Sequence, residues 1–147
     1  MKTIAVIING IHMPYNVIHH AIEKAKAGSS EIFALFLRGR HEPSKGYIFP
    51  SDITTDTWAS GKKAENDDEK IMEDNMMLVK EMIEDERIPY HSALKINASV
   101  EEVVKEISTA DLIIVGESFD TPSILKDDKI TLKKLMHKIS IPVDRVP

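Results

Sequence analysis

Two hydrophobic periods alternate along this chain. Thr3 to Ile8 is a short, β-branched apolar run that reads as a buried strand. Pro14 follows where the first turn of a helix tolerates a missing amide. Val17, Ile18, Ala21, Ile22 and Ala25 then recur at helical spacing until Gly28 stops the run. Glu31 to Leu37 is a second buried strand. From Arg38 to about Gly61 the periodicity disappears, and Gly39, Pro43, Gly46, Pro50 and Gly61 punctuate a long irregular loop over about 39–61. Lys62 to Arg87 is the longest predicted helix. Its stripe of Ile71, Met72, Met76, Val79, Met82 and Ile83 reads as a core face, although methionines also suit an adaptable binding surface.

Tyr90 to Ile96 alternates polar and apolar residues as a half-exposed strand does. Ser99 is a good N-cap for a helix reaching Thr109, and Glu102 completes a capping box. Leu112-Ile113-Ile114-Val115-Gly116 is a strand apolar on both faces, as a covered parallel sheet requires. A helix from about Leu125 or Lys129 to Lys138 and a last strand near Val143 to Val146 complete the order β-α-β-α-β-α-β-α-β. That order predicts right-handed crossovers and an open parallel sheet with helices on both faces, an α/β fold. Ligands of such sheets sit beyond the carboxyl ends of the strands, so Gly116 marks the edge where a site belongs.

Composition narrows the classes. A chain of 147 residues fits one domain over 1–147. The absence of cysteine excludes disulfides, thiolate metal sites and thiol catalysis. No apolar run approaches the ~18 residues of a membrane span. The first residues carry one lysine and a short apolar core without a small-residue cleavage site, so they predict a strand rather than a signal peptide, and a cytoplasmic protein. A net charge of −5 without a basic stripe argues against nucleic acid as a partner.

Three stretches together resemble the universal stress protein family: Thr3-Ile4-Ala5-Val6-Ile7-Ile8-Asn9-Gly10, Ser99 to Glu106 leading into Ala110-Asp111-Leu112-Ile113-Ile114-Val115-Gly116, and Leu132 to Val143 with its closing Pro142-Val143. The resemblance spans nearly the whole chain. It implies a five-stranded sheet of the adenine nucleotide alpha hydrolase-like type, strand order 3-2-1-4-5, and a homodimer often paired through the last strand. Family members that bind ATP carry Gly-x2-Gly-x9-Gly-Ser/Thr after the fourth strand, because glycines let backbone amides approach phosphates. Here those positions hold Gly116, Phe119, Lys129 and Ile130; the count without gaps fits, since Lys129 stands thirteen residues before Pro142 as in the family. A phenylalanine ring obstructs a phosphate and isoleucine donates no hydrogen bond. Where nucleotide binders place an aspartate followed by Gly-Ser, this chain has Asn9, Gly10 and Ile11.

The resemblance therefore implies a homodimeric regulatory or stress-response binding protein without family-type ATP binding, and no cofactor, ATP or AMP being disfavoured. The alternative is a nucleotide or small-anion sensor using a modified cleft. Asn9, Gly10, His12, Leu37, Arg38, Gly116, Glu117 and Lys129 are the candidates to line it. Phe119, Ile130 and the aromatics Tyr47, Phe49 and Trp58 of the long loop are expected to fill or narrow it. Arg38, Arg40 and Lys45 leave the second strand at the same edge, where they could meet an anion or remain a solvated basic loop.

Other chemistry has less support. His19 and His20, adjacent on a helix, point about 100° apart and do not converge with His12 on a metal. His137 suits a helix C-terminus, where the dipole favours a cation. Ser118 lacks the Gly-x-Ser-x-Gly elbow, and Glu117 lacks partners that would make it a general base, so no catalytic constellation is expected.

Overall fold

A computed structural model describes residues 2–39, 55–122 and 124–147, with 55–67 as backbone alone. The elements in chain order are β1 (Thr3–Asn9), α1 (Tyr15–Gly28), β2 (Glu31–Arg38), α2 (Thr55–Asp85), β3 (Tyr90–Ile96), α3 (Val100–Ile107), β4 (Leu112–Gly116), α4 (Leu132–Lys138) and β5 (Val143–Val146). A single 3₁₀ turn, Glu117–Asp120, leaves β4.

The five strands form one parallel sheet in the order β3-β2-β1-β4-β5. This is the α/β class that the hydrophobic pattern predicts and the strand order that the family resemblance implies. β1 lies at the centre, aligned with β2 from Thr3 opposite Glu31 to Asn9 opposite Leu37. Side chains alternate across a strand, and β1 divides them between two cores. Ile4, Val6 and Ile8 pack with Val17, Ile18 and Ala21 of α1 and with Met72, Val79 and Ile83 of α2. Ala5 and Ile7 pack on the other face with Val103 and Ile107 of α3 and Leu135 of α4. Each fully buried branched side chain contributes about 1.5–3 kcal/mol, so a strand apolar on both faces anchors both layers.

Several element boundaries differ from the sequence expectation. α1 runs through Gly28, and Ser29 takes the left-handed conformation at φ 51° that ends it. α2 begins at Thr55 rather than Lys62, so Trp58 and Gly61 lie on helical backbone; the rest of the expected 39–61 loop, from Arg40 through Tyr47 and Phe49 to residue 54, lies outside the described residues. The last helix begins at Leu132, not at Leu125 or Lys129. Its cap is Thr131, whose hydroxyl accepts from the Lys134 amide at 3.2 Å, and Asp120 Oδ1 accepts from the Leu132 amide at 3.0 Å. The methionine stripe of α2 is core at Met72, with Met76 and Met82 packed against it, but Ile71 is 45% exposed because it points about 100° away from Met72. Ser99 caps α3 as its sequence predicts, accepting from the Glu102 amide at 3.1 Å.

Candidate functional site

The chain winds from β1 outward to β3, then returns across the sheet to β4 and β5. The strand order therefore reverses between β1 and β4, and the crevice outside their carboxyl ends is where such sheets hold ligands. A cleft of about 380 Å³ opens there. Its walls are Ile7, Ile8 and Ile11 on the β1 side and Phe119, Pro122 and Ile124 on the β4 side. Asn9, His12, Ser118 and Thr121 supply polar side chains to it, and Pro14 and Gly116 complete the lining. A second hollow of about 350 Å³ adjoins it, sharing His12, Pro14, Gly116 and Ser118 and running along the start of α1 toward Val146.

Gly116 packs closely under α1. A Cβ there would lie 3.1 Å from Val17 Cγ2, so a side chain would require the Val17 methyl to give by a few tenths of an ångström. Gly10 takes φ 94°, open only to glycine at low cost, and its amide donates to the Leu37 carbonyl at 2.9 Å.

The segment after the 3₁₀ turn crosses the sheet edge as a strap. The Ile124 carbonyl accepts from the Ile11 amide at 3.1 Å, and the Leu125 carbonyl accepts from the Gly39 amide at 2.7 Å. Asn9 is the central clasp: its Nδ2 donates to the Asp127 carbonyl at 3.0 Å, while its Oδ1 accepts from the Asp127 amide at 2.8 Å. Leu125 is held at φ 62° and buried with the α1 and α2 core, an uncommon conformation for a bulky residue. The Asp127 carboxylate is also buried; Oδ1 accepts from the Lys129 amide at 3.0 Å, and Oδ2 has no partner among the described residues.

Of the eight residues singled out from the sequence, the structure brings Asn9, His12 and Gly116 to the cleft wall. The other five stand elsewhere. Leu37 is buried in the α3 and α4 core, and Gly10 sits in the turn behind. Arg38 is directed to α2, where Nη1 meets Glu69 Oε1 at 3.1 Å. Lys129 is exposed, its Nζ donating to the Asn97 carbonyl at 3.3 Å beyond the end of β3. Glu117 faces solvent. Phe119 and Ile130, expected to narrow the cleft, are both buried: Phe119 forms one wall, and Ile130 is fully enclosed in the α3 and α4 core. Sequence reasoning missed Ile7, Ile8, Ile11 and Pro14 on one side and Ser118, Thr121, Pro122 and Ile124 on the other. Pro122 and the short run before it carried the only signal, a stretch after Gly116 unsuited to cradling phosphate.

Among the described residues there is no group of three histidine, aspartate or glutamate side chains placed to hold a metal ion. His20 instead meets Asp144 Oδ2 at 3.4 Å, tying α1 to β5. No described helix is long and apolar enough to cross a membrane.

The architecture and the position of the cleft define an open α/β protein of the universal stress protein fold. A scan against protein-family models gives no match, and a search of curated proteins by sequence gives none. Solved structures do match. A universal stress protein from Archaeoglobus fulgidus in complex with dAMP aligns over 100% of this chain and 98% of its own, at 13% identity and TM-score 0.63. One from Burkholderia pseudomallei aligns over 99% and 96%, at 14% identity and TM-score 0.60. One from Arabidopsis thaliana with AMP bound aligns over 99% and 91%, at 9% identity and TM-score 0.61. At such identities the likeness establishes the fold.

Proposed function

We propose that this chain is a universal-stress-protein-like regulatory binding protein, a cytoplasmic homodimer that holds a small ligand in the β1/β4 cleft without the phosphate grip of the family's ATP binders. The observation that carries this reading is the burial of Phe119 and Ile130. They occupy the second-glycine and hydroxyl positions of the phosphate motif, and both belong to the hydrophobic core. Backbone amides cannot close on a triphosphate where a buried ring and a buried aliphatic chain must stay. The cleft beside them is nevertheless open, and its volume falls in the range of small-molecule sites.

The second reading, a nucleotide or small-anion sensor at the same cleft, draws on the structural neighbours solved with dAMP and AMP. The open cleft suits it, but Arg38 and Lys129, the cations it would use, are engaged outside the cleft.

A thermal-shift titration with ATP, ADP and AMP, each with magnesium, tests the first reading. A ligand at 100 times its dissociation constant adds about 2.7 kcal/mol to the folded state, enough to move the midpoint by several degrees. No shift is expected with millimolar ATP. An ATP shift that disappears in Lys129→Ala would overturn the reading, because it would mean that the strap rebuilds a phosphate site.

A further inference from the structure

We infer that the β1/β4 cleft is a site for an uncharged, largely apolar small molecule whose hydrogen-bonding group meets His12 and Ser118. This rests on the reading of the cleft as a ligand site and names the class of ligand.

Charge is the first argument. Among the described residues, no lysine, arginine, aspartate or glutamate lines the cleft. An anion entering it would shed water without gaining a cation from the described lining, a loss that apolar walls do not repay. The two cations singled out from the sequence are committed elsewhere: Arg38 to Glu69, and Lys129 to the Asn97 carbonyl beyond β3. A cation would meet no carboxylate in the lining either. Net-neutral ligands are what this wall admits without a charge left unpaired.

The polar atoms give the second argument. Asn9 points at the cleft, but its amide already exchanges two hydrogen bonds with the Asp127 backbone. His12 and Ser118 have no side-chain hydrogen-bond partner among the described residues, and both are exposed residues of the cleft lining. These two residues also belong to the adjoining hollow, so they stand where the two spaces meet. A ligand filling both would be elongated, with its polar group near the middle and apolar parts toward Phe119 on one side and Val17 on the other. Sites of this kind take affinity from the apolar body and orientation from few polar contacts.

The test uses the full chain, ¹⁵N-labelled, and two matched pairs of probes: adenosine with AMP, and phenylacetamide with phenylacetate. The neutral dye Nile red serves as a third, shape-tolerant probe. The neutral member of each pair is expected to shift the amides of Gly116, Ser118 and Phe119 saturably, and to bind about tenfold or more tighter than its anion. Ser118→Ala is expected to weaken the neutral probes by roughly 2- to 12-fold, the range of one hydrogen bond. Ile124→Lys places a cation at the half-exposed rim and is expected to narrow the gap between neutral and anionic members. Anions binding as tightly as their neutral partners would overturn the ligand class while leaving a small-molecule site in place. Neutral binding unchanged by Ser118→Ala would overturn the assigned contact. If no probe, Nile red included, moved the cleft amides at millimolar concentration, the cleft would not be a ligand site at all, and the proposed function would fall with it.

Discussion

Asn9 performs two opposite hydrogen-bonding tasks with one amide, donating to the Asp127 carbonyl and accepting from the Asp127 amide. An aspartate of the same shape could accept but not donate, and it would leave the Asp127 carbonyl without its donor in a buried site. Asn9→Asp is therefore expected to lower stability by about 1–3 kcal/mol, read as a lower urea midpoint at unchanged slope. An unchanged midpoint would mean that the clasp contributes nothing. Tyr90 supplies a second test. Burial pushes its phenol above the ordinary value; Ser92 offsets part of this, and Glu84 adds to it. The hydroxyl is nonetheless buried without a partner at bonding distance among the described residues. With a raised folded pKa, its stabilising effect is complete below about pH 10 and fades as pH climbs past it. Tyr90→Phe should gain up to about 1 kcal/mol at neutral pH by removing the unpaired hydroxyl, and should lose less stability than the parent above pH 10. Denaturation midpoints at pH 7 and pH 10.5 check both arms. The role of Asn9 was half legible in the sequence: its place after the first strand marked the site, but its partner, 118 residues away, was not.

At the scale of elements, the strands were the legible part, because a run such as Leu112 to Val115 can be buried on both faces only in a covered parallel sheet. Helix ends were less so. Gly28 looked like the stop of α1, yet Ser29 carries the left-handed turn while Gly28 stays helical. Ser29→Gly is accordingly expected to stabilise the protein by about 0.5–1 kcal/mol, since an exposed serine at φ 51° bears a strain that glycine lacks. A rise in thermal midpoint of a few degrees would show it, and a fall would mean that the serine side chain has a role beyond the turn. The strap from Ile124 to Thr131 departs furthest from the sequence expectation of a helix from Leu125 or Lys129. Its composition suits a helix start, but tertiary bonds to Ile11, Asn9 and Gly39 hold it across the sheet edge instead. Local pattern cannot register partners supplied by other strands. At Gly61 the error ran the other way, a single glycine being read as a break that α2 accommodates for roughly 1 kcal/mol.

The whole molecule presents two sheet edges, β3 and β5, and the proposed homodimer must answer for one of them. Hydrogen bonding alternates along a parallel strand. The Pro142 carbonyl accepts from the Ile113 amide, and Ile113 stands opposite Val143. The amides of Asp144 and Val146 accordingly face β4, and those of Val143 and Arg145 face the open edge. An edge with free amides is a template for a second chain, and a proline tolerates an edge position whose amide points outward. Arg145→Pro removes one outward donor while sparing the bonds to β4. If two copies pair through β5, sedimentation velocity should show this variant as a monomer where the parent is a dimer, with the β4 amides still protected from hydrogen exchange. A dimer that persists with full affinity would move the interface away from β5. A parent that sediments as a monomer would remove the homodimer from the proposed function, leaving the cleft to act within a single chain.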